Sequence, residues 1–178
     1  KEKVMREIKC EDITKTVKQL CMEAACNLPS DVFKALKDKT DTEPYPLAKK
    51  TLEVLIDNAD LAKDNMMPIC QDTGMAFVYI TIGQEVHVDG DLKAAINEGV
   101  RQGYEEGYLR KSVVDDPLFE RINTKDNTPA IIYFDLVCGD EFKIVVAPKG
   151  FGSENMSQIK MLKPSDGLQG VKDFVMKV

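Results

Sequence analysis

Tryptophan is absent from this 178-residue chain, and histidine occurs once, at His87. A single histidine removes most Ser-His-Asp and Cys-His catalytic arrangements, and His-rich zinc sites, unless another chain supplies the missing group. No CxxC pair is present among the five cysteines, an odd number, so neither a disulfide framework nor a zinc ribbon is expected. No apolar run approaches a transmembrane span, and the opening KEKVMREIKC lacks the apolar core of a secretory signal. A reducing cytoplasm is the expected location. Blocks of like charge are missing too. Lys and Arg number 24 against 30 Asp and Glu, a net charge of −6, with signs interleaved. That pattern argues against a nucleic-acid surface or a polybasic membrane surface. A small anion is still a feasible ligand where local cations outweigh the global field.

What is present reads as one α/β domain, a mixed sheet covered by helices. DITKTVKQLCMEAACN places Ile13, Val17, Leu20, Cys21 and Ala24 near one helical face, where Cys21 acts as a small hydrophobe, as Cys26 does near the helix end. Ser30 can cap a short helix, and Pro46 opens a longer one whose apolar content is Leu47, Leu52, Val54, Leu55, Ile56 and Leu61. MAFVYITIG is a strand, EVHV with surface-facing His87 is another, and a helix from Asp91 to about Lys111 follows. Gly99, Gly103 and Gly107 recur every four residues, a smooth ridge on which another element can come close. PAIIYFDLVCGDEFKIVVAPKG reads as an antiparallel hairpin turning at Gly139-Asp140. GLQGVKDFVMKV is helical and ends on Phe174, Val175, Met176 and Val178, which suggests an incomplete C-terminus or a domain boundary.

Three loops carry polar chemistry. PICQDTG (68–74) holds Cys70 beside Gln71 and Asp72. An adjacent carboxylate disfavours the thiolate, so Cys70 is a poor nucleophile, whereas a metal would deprotonate it outright. A cluster ligand and a plain loop thiol, with Asp72 capping a turn, both fit the spacing. In YLRKSVVDDPL, Arg110 and Lys111 either complement a helix C-terminus or, for Arg110, clamp a carboxylate. In PKGFGSENMS, Lys149, Gly150, Gly152 and Ser153 form a strand-end loop that suits an anion, matches no P-loop or GxGxxG spacing, and serves equally as a generic turn.

In order, PICQDTG, EGYLRKSVVDDPLFERINTKDNTPA and PKGFGSENMS closely resemble the N-terminal domain of class I fumarate hydratases, shared by α subunits of two-subunit fumarases and L-tartrate dehydratases. The likeness runs from about residue 5 to the end. It implies an iron–sulfur hydro-lyase that hydrates fumarate reversibly to L-malate, as in the tricarboxylic acid cycle, or dehydrates L-tartrate. A four-iron, four-sulfur cluster with one open iron would be the Lewis acid, and Cys70 one of three cysteine ligands, the other two lying beyond residue 178. By the same resemblance Gln71 and Asp72 contact substrate, with Asp72 assisting proton transfer. Arg110 grips a carboxylate of the dicarboxylate, and the Lys149, Gly150 and Gly152 loop gives a backbone contact. The family loop is usually KGGGS, and Phe151 stands in place of its middle glycine. The resemblance further implies that residues 1–178 are an incomplete N-terminal, α-type domain. Its partner would be a β-type subunit or C-terminal domain, in a dimer or heterotetramer, and the isolated piece would be inactive. A non-catalytic iron–sulfur or thiol sensor on the same fold is the rival reading, and it has no use for Asp72 and Arg110. A plain anion-binding module is a third, and it leaves Cys70 unexplained.

Overall fold

In a computed structural model of the protein, residues 5–178 are described; the first four residues of KEKVMREIKC lie outside them. A short strand β1 (Arg6–Ile8) leads into helix α1 (Cys10–Cys26), followed by α2 (Ser30–Thr42) and α3 (Pro46–Asn65). Strand β2 (Met75–Gly83) and strand β3 (Val86–Val88) precede α4 (Leu92–Glu106). Two small strands, β4 (Val114–Asp115) and β5 (Ile122–Asn123), come before the long strands β6 (Ile131–Val137) and β7 (Phe142–Lys149). Helix α5 (Gly167–Lys177) ends the chain.

Helices α1 and α4 pack face to face because the glycine ridge has no Cβ atoms in the way. A Cβ on Gly99 would lie 2.7 Å from the Thr14 carbonyl oxygen, and one on Gly103 would lie 2.9 Å from Cys21 Cβ. The Thr14 hydroxyl donates to the Ala95 carbonyl across the same contact at 3.0 Å. Ile13, Val17 and Cys21 of α1 join Ile96, Val100 and Tyr104 of α4 over Ala76, Val78 and Ile80 of β2, which form the core. Burial pushes the Cys21 thiol up to about 12 and raises that of Cys26 as well, so both stay protonated and serve as packing. Ala25 takes the buried place expected for Ala24.

The main sheet is mixed, as expected, but its pairing differs from a hairpin. Its order is β6-β2-β7, with β2 parallel to β6 and antiparallel to β7. The two strands expected to pair with each other are separated by β2, and their connection at residues 138–141 arches over the end of it. Gly83 N–H donates to the Glu141 carbonyl at 2.7 Å, and Gln84 N–H to the Val137 carbonyl at 2.9 Å. Helices cover one face. On the other, Tyr133 stacks between Phe77 and Tyr79 at 6.4 and 5.3 Å, with Tyr79 44% and Tyr133 53% exposed.

Two further expectations shift, on Ser30 and on the end of α4, and the helix between them shows its own pattern of burial. Ser30 begins α2 without capping it through its side chain, the N-cap position falling on Pro29. The apolar residues of α3 largely face outward, since Ala59 and Ala62 are the buried positions while Leu47, Val54, Leu55 and Leu61 are exposed. Helix α4 stops at Glu106, so Arg110 and Lys111 belong to a loop and not to a last turn. Tyr108, at φ 52°, turns the chain out of the helix. His87 lies exposed on β3, paired in register with Glu7 of β1.

Candidate active site

The three polar loops meet at one end of the sheet, where β2 begins and β7 ends. The Cys70 loop is pinned from behind: Ile69 N–H donates to the Ala25 carbonyl at the end of α1, and Asn58 Nδ2 of α3 donates to the Ile69 carbonyl, both at 3.0 Å. Ahead of it, Gly74 adopts φ 62° and runs so close to β7 that a Cβ there would collide with the Lys149 carbonyl oxygen. Only glycine meets both demands at that position. Between these anchors Cys70 is exposed, its thiol donating to Gln71 Oε1 at 3.3 Å and its sulfur accepting the Asp72 N–H at 3.5 Å.

Asp72 has two faces. Oδ1 accepts the Gly74 N–H at 2.7 Å, the turn-capping role, while Oδ2 lies 2.9 Å from where a Gly150 Cβ would be. One carboxylate oxygen therefore shapes the turn and the other faces the glycine loop, so the capping and functional readings are both available. Cys70, Gln71, Thr73, Tyr108 and Arg110 line a cleft of about 400 Å³. Arg110 is exposed, and among the described residues no acid pairs with its guanidinium. A helix-terminal role for Arg110 is excluded by the end of α4, whereas a carboxylate clamp needs a guanidinium free in this way.

The glycine loop is less uniformly placed. Gly150 sits against Asp72, whereas a Cβ on Gly152 would meet nothing within 4 Å. Lys149 Nζ donates to Glu154 Oε1 at 2.5 Å and to the Gly150 carbonyl at 2.6 Å, and lies 5.1 Å from the centre of the Phe151 ring. The ammonium, together with the Ser157 hydroxyl, holds the Glu154 carboxyl below its ordinary range. Lys149 thus fastens the loop to itself, and Phe151 fills the missing glycine's place as the apolar wall under that ammonium. A larger cleft, about 570 Å³ beside Cys10, is lined by Glu11, Asp89, Asp91 and Glu98, a poor environment for an anion.

What fastens the Arg110 loop was not evident from sequence. Thr73 Oγ1 donates to the Arg110 carbonyl at 2.9 Å, and the Tyr104 hydroxyl donates to the Thr73 carbonyl at 2.6 Å. Burial keeps the Tyr104 hydroxyl well above its usual range, so it remains a donor. The fully buried Asn127 accepts from the N–H groups of Ser112 and Val113 and donates to the Gly74 carbonyl. Its segment, TKDNTPA, carried resemblance but no chemistry. The available signal was its Asp-Asn turn composition, since Asn tolerates the φ of 63° that Asn127 adopts.

An open iron–sulfur cluster needs several thiolates. Among the described residues no three His, Cys, Asp or Glu side chains come together to hold a metal ion, and Cys70 is the one cysteine bordering the cleft. Cys138 lies exposed at the opposite end of the sheet, in the arch over Gly83. A single thiol does not hold such a cluster, so these residues alone do not fit it.

Cys70, Gln71 and Arg110 thus share one cleft at a strand end, with Asp72 and Gly150 against each other beside it. Residues 14–178 match the family model described as fumarate hydratase (Fumerase), and the chain belongs to that family. It is 41% identical over 170 residues to a Methanocaldococcus jannaschii protein provisionally named L(+)-tartrate dehydratase subunit alpha, covering 93% of this chain and 60% of that one. It is 29% identical over 167 residues to L(+)-tartrate dehydratase subunit alpha of Escherichia coli strain UTI89, covering 92% of this chain and 54% of that one. The chain therefore spans little more than half the length of these relatives.

Proposed function

We propose that this chain is the N-terminal, α-type part of an iron–sulfur hydro-lyase that hydrates fumarate reversibly to L-malate. The observation that supports it most is the convergence, within a chain of this family, of Cys70, Gln71 and Arg110, which has no acid partner among the described residues, on one cleft, with Asp72 held against Gly150 beside them. In this reading Arg110 binds one carboxylate of the dianion through its two-pronged guanidinium, and Gln71 orients the substrate from the cleft wall. Asp72 Oδ2 handles the proton at the carbon next to the departing hydroxyl, its orientation held by the Gly74 N–H on Oδ1. The Lys149–Gly152 loop contributes main-chain contacts at Gly150, where a side chain would displace Asp72. Cys70 would supply one thiolate to such a cluster, and further thiolates would have to come from the rest of the whole protein. When bound, that cluster would polarise the C–O bond as a Lewis acid.

L-tartrate dehydration is the second reading, favoured by the names of the relatives. The same names support a β-type partner, as a separate subunit or a fused domain. Five free cysteines and, among the described residues, the absence of any helix long and apolar enough to cross a membrane suit a cytoplasmic setting. The test is to purify the whole native protein without oxygen and measure iron, sulfide, fumarate hydration and tartrate dehydration together. Cluster and hydration both lost in air are the expected result; a cluster without action on either acid would put a sensor in place of the enzyme.

A further inference from the structure

We propose that Asn127, acting with Thr73, is a positioning bracket that holds the Arg110 guanidinium over the Cys70 loop; this rests on the reading of that cleft as a dicarboxylate site. Arg110 and the Cys70 loop are 36 to 42 residues apart in sequence and share no regular element, so no common strand or helix fixes their spacing. Two side chains do. The Asn127 carboxamide uses three of its hydrogen-bonding positions: Oδ1 accepts from Ser112 N–H at 2.7 Å and Val113 N–H at 3.0 Å, and Nδ2 donates to the Gly74 carbonyl at 3.0 Å. It is thereby a strut between the residues just after Arg110 and the residue just after Thr73. Thr73 closes the other side through its bond to the Arg110 carbonyl.

Asn127 is itself fixed. It is 0% exposed, and the neighbouring turn is tied down by Asp126, which accepts from Thr128 N–H at 2.9 Å and Oγ1 at 2.8 Å. Asn123 Nδ2 adds a bond to the Lys111 carbonyl at 2.8 Å. A buried amide with three partners inside a loop is costly to place unless its geometry is used. The use is to set how far Arg110 stands from Cys70 and Asp72, and hence the length of dianion the cleft accepts.

The test reads that spacing without cluster or substrate. The 178-residue chain, free of metal, is alkylated at one pH with iodoacetate and separately with iodoacetamide, and modification of each cysteine is followed by peptide mass spectrometry. Both reagents consume the same thiolate, so their rate ratio cancels thiol pKa and reports the local positive charge. At Cys70 the wild-type ratio is expected to exceed that of Arg110→Ala about threefold at low salt. Cys138 provides the internal reference. Asn127→Ala, the milder Asn127→Ser and the near-isosteric Thr73→Val should each lower the Cys70 ratio toward the Arg110→Ala value while circular dichroism stays native. A wild-type ratio in a folded Asn127 variant would overturn the proposal, as would a wild type no different from Arg110→Ala. If Asn127→Ala does not fold, Asn127→Ser decides. Succinate binding, measured on the same proteins, separates the two readings: a lowered ratio without succinate binding keeps the bracket and discards the dicarboxylate.

Discussion

The two ends of strand β2 are closed in different ways. At its far end Gly83 lies against the Gly139 carbonyl, and the β6–β7 connection bonds to it main chain to main chain. At its near end Gly74 lies against the Lys149 carbonyl, but side chains do the fastening: Asn127, Thr73 and Tyr104 each bond to a backbone group of a neighbouring loop. Closure at the far end depends on one glycine and on one side chain, Arg6, whose guanidinium donates to the Asp140 carbonyl at 2.9 Å, and it leaves Cys138 as a surface thiol. Side-chain closure specifies positions, and it is where Cys70, Asp72 and Arg110 gather. The candidate site lies at the end whose geometry is set by particular residues, as expected if a site must be held more accurately than a turn.

The widest separation between the ends should come from their cysteines. Cys70→Ser in the complete enzyme is expected to abolish hydration, while Cys138→Ser leaves kcat unchanged; loss of activity in both would show that Cys138 belongs to the site after all. Next comes the glycine pair. Gly74→Ala places a Cβ in left-handed backbone and against β7, and should cost roughly 3–5 kcal/mol in urea denaturation. Gly83→Ala also meets backbone, the Gly139 carbonyl, but without left-handed φ to strain, and should cost about 2 kcal/mol. Equal losses would mean that the near end is no more tightly specified than the far one.

A smaller effect is expected from Arg110→Met, which should raise KM for the dicarboxylate roughly 10–100-fold, the worth of a charged hydrogen-bonding partner. A change in kcat with KM intact would place Arg110 in proton transfer instead of binding. Smallest is Glu154→Gln. Because Lys149 depresses the Glu154 carboxyl, the pair stabilises the fold above about pH 4.5, the ordinary value, and loses that contribution as pH falls through the lower folded-state value. The gap in Tm between wild type and variant should therefore be slight near pH 6 and close on acidification. A gap unchanged down to pH 3 would show that the Lys149 pairing contributes nothing to it.

Periodicity made much of the scaffold legible. Helix α1, the start of α3 at Pro46 and the glycine ridge of α4 follow from spacing, since a helix repeats its face every 3.6 residues. Spacing tells which residues share a face but not what covers it, so the apolar content of α3 did not show that Leu47, Leu55 and Leu61 lie exposed. It also cannot tell whether two strands joined by a Gly-Asp turn pair directly or bracket a third. The reach of 138–141 over Gly83 depends on β2, sixty residues earlier. Arg110 looked helix-terminal because three glycines kept the helical pattern running past Glu106, where the backbone in fact turns at Tyr108.

The residue types needed for chemistry, and the loops that carry them, were set by the sequence alone: a thiol in a turn, an acid beside it, an arginine and a glycine loop are local facts of composition and order. Their meeting was not. Cys70, Arg110 and Gly150 converge because β2 lies between β6 and β7 and because Asn127, one of several polar residues in a turn with no periodic signature, bridges two loops. Such a bridge depends on distances between segments remote in the chain, and those exist only once the sheet has formed.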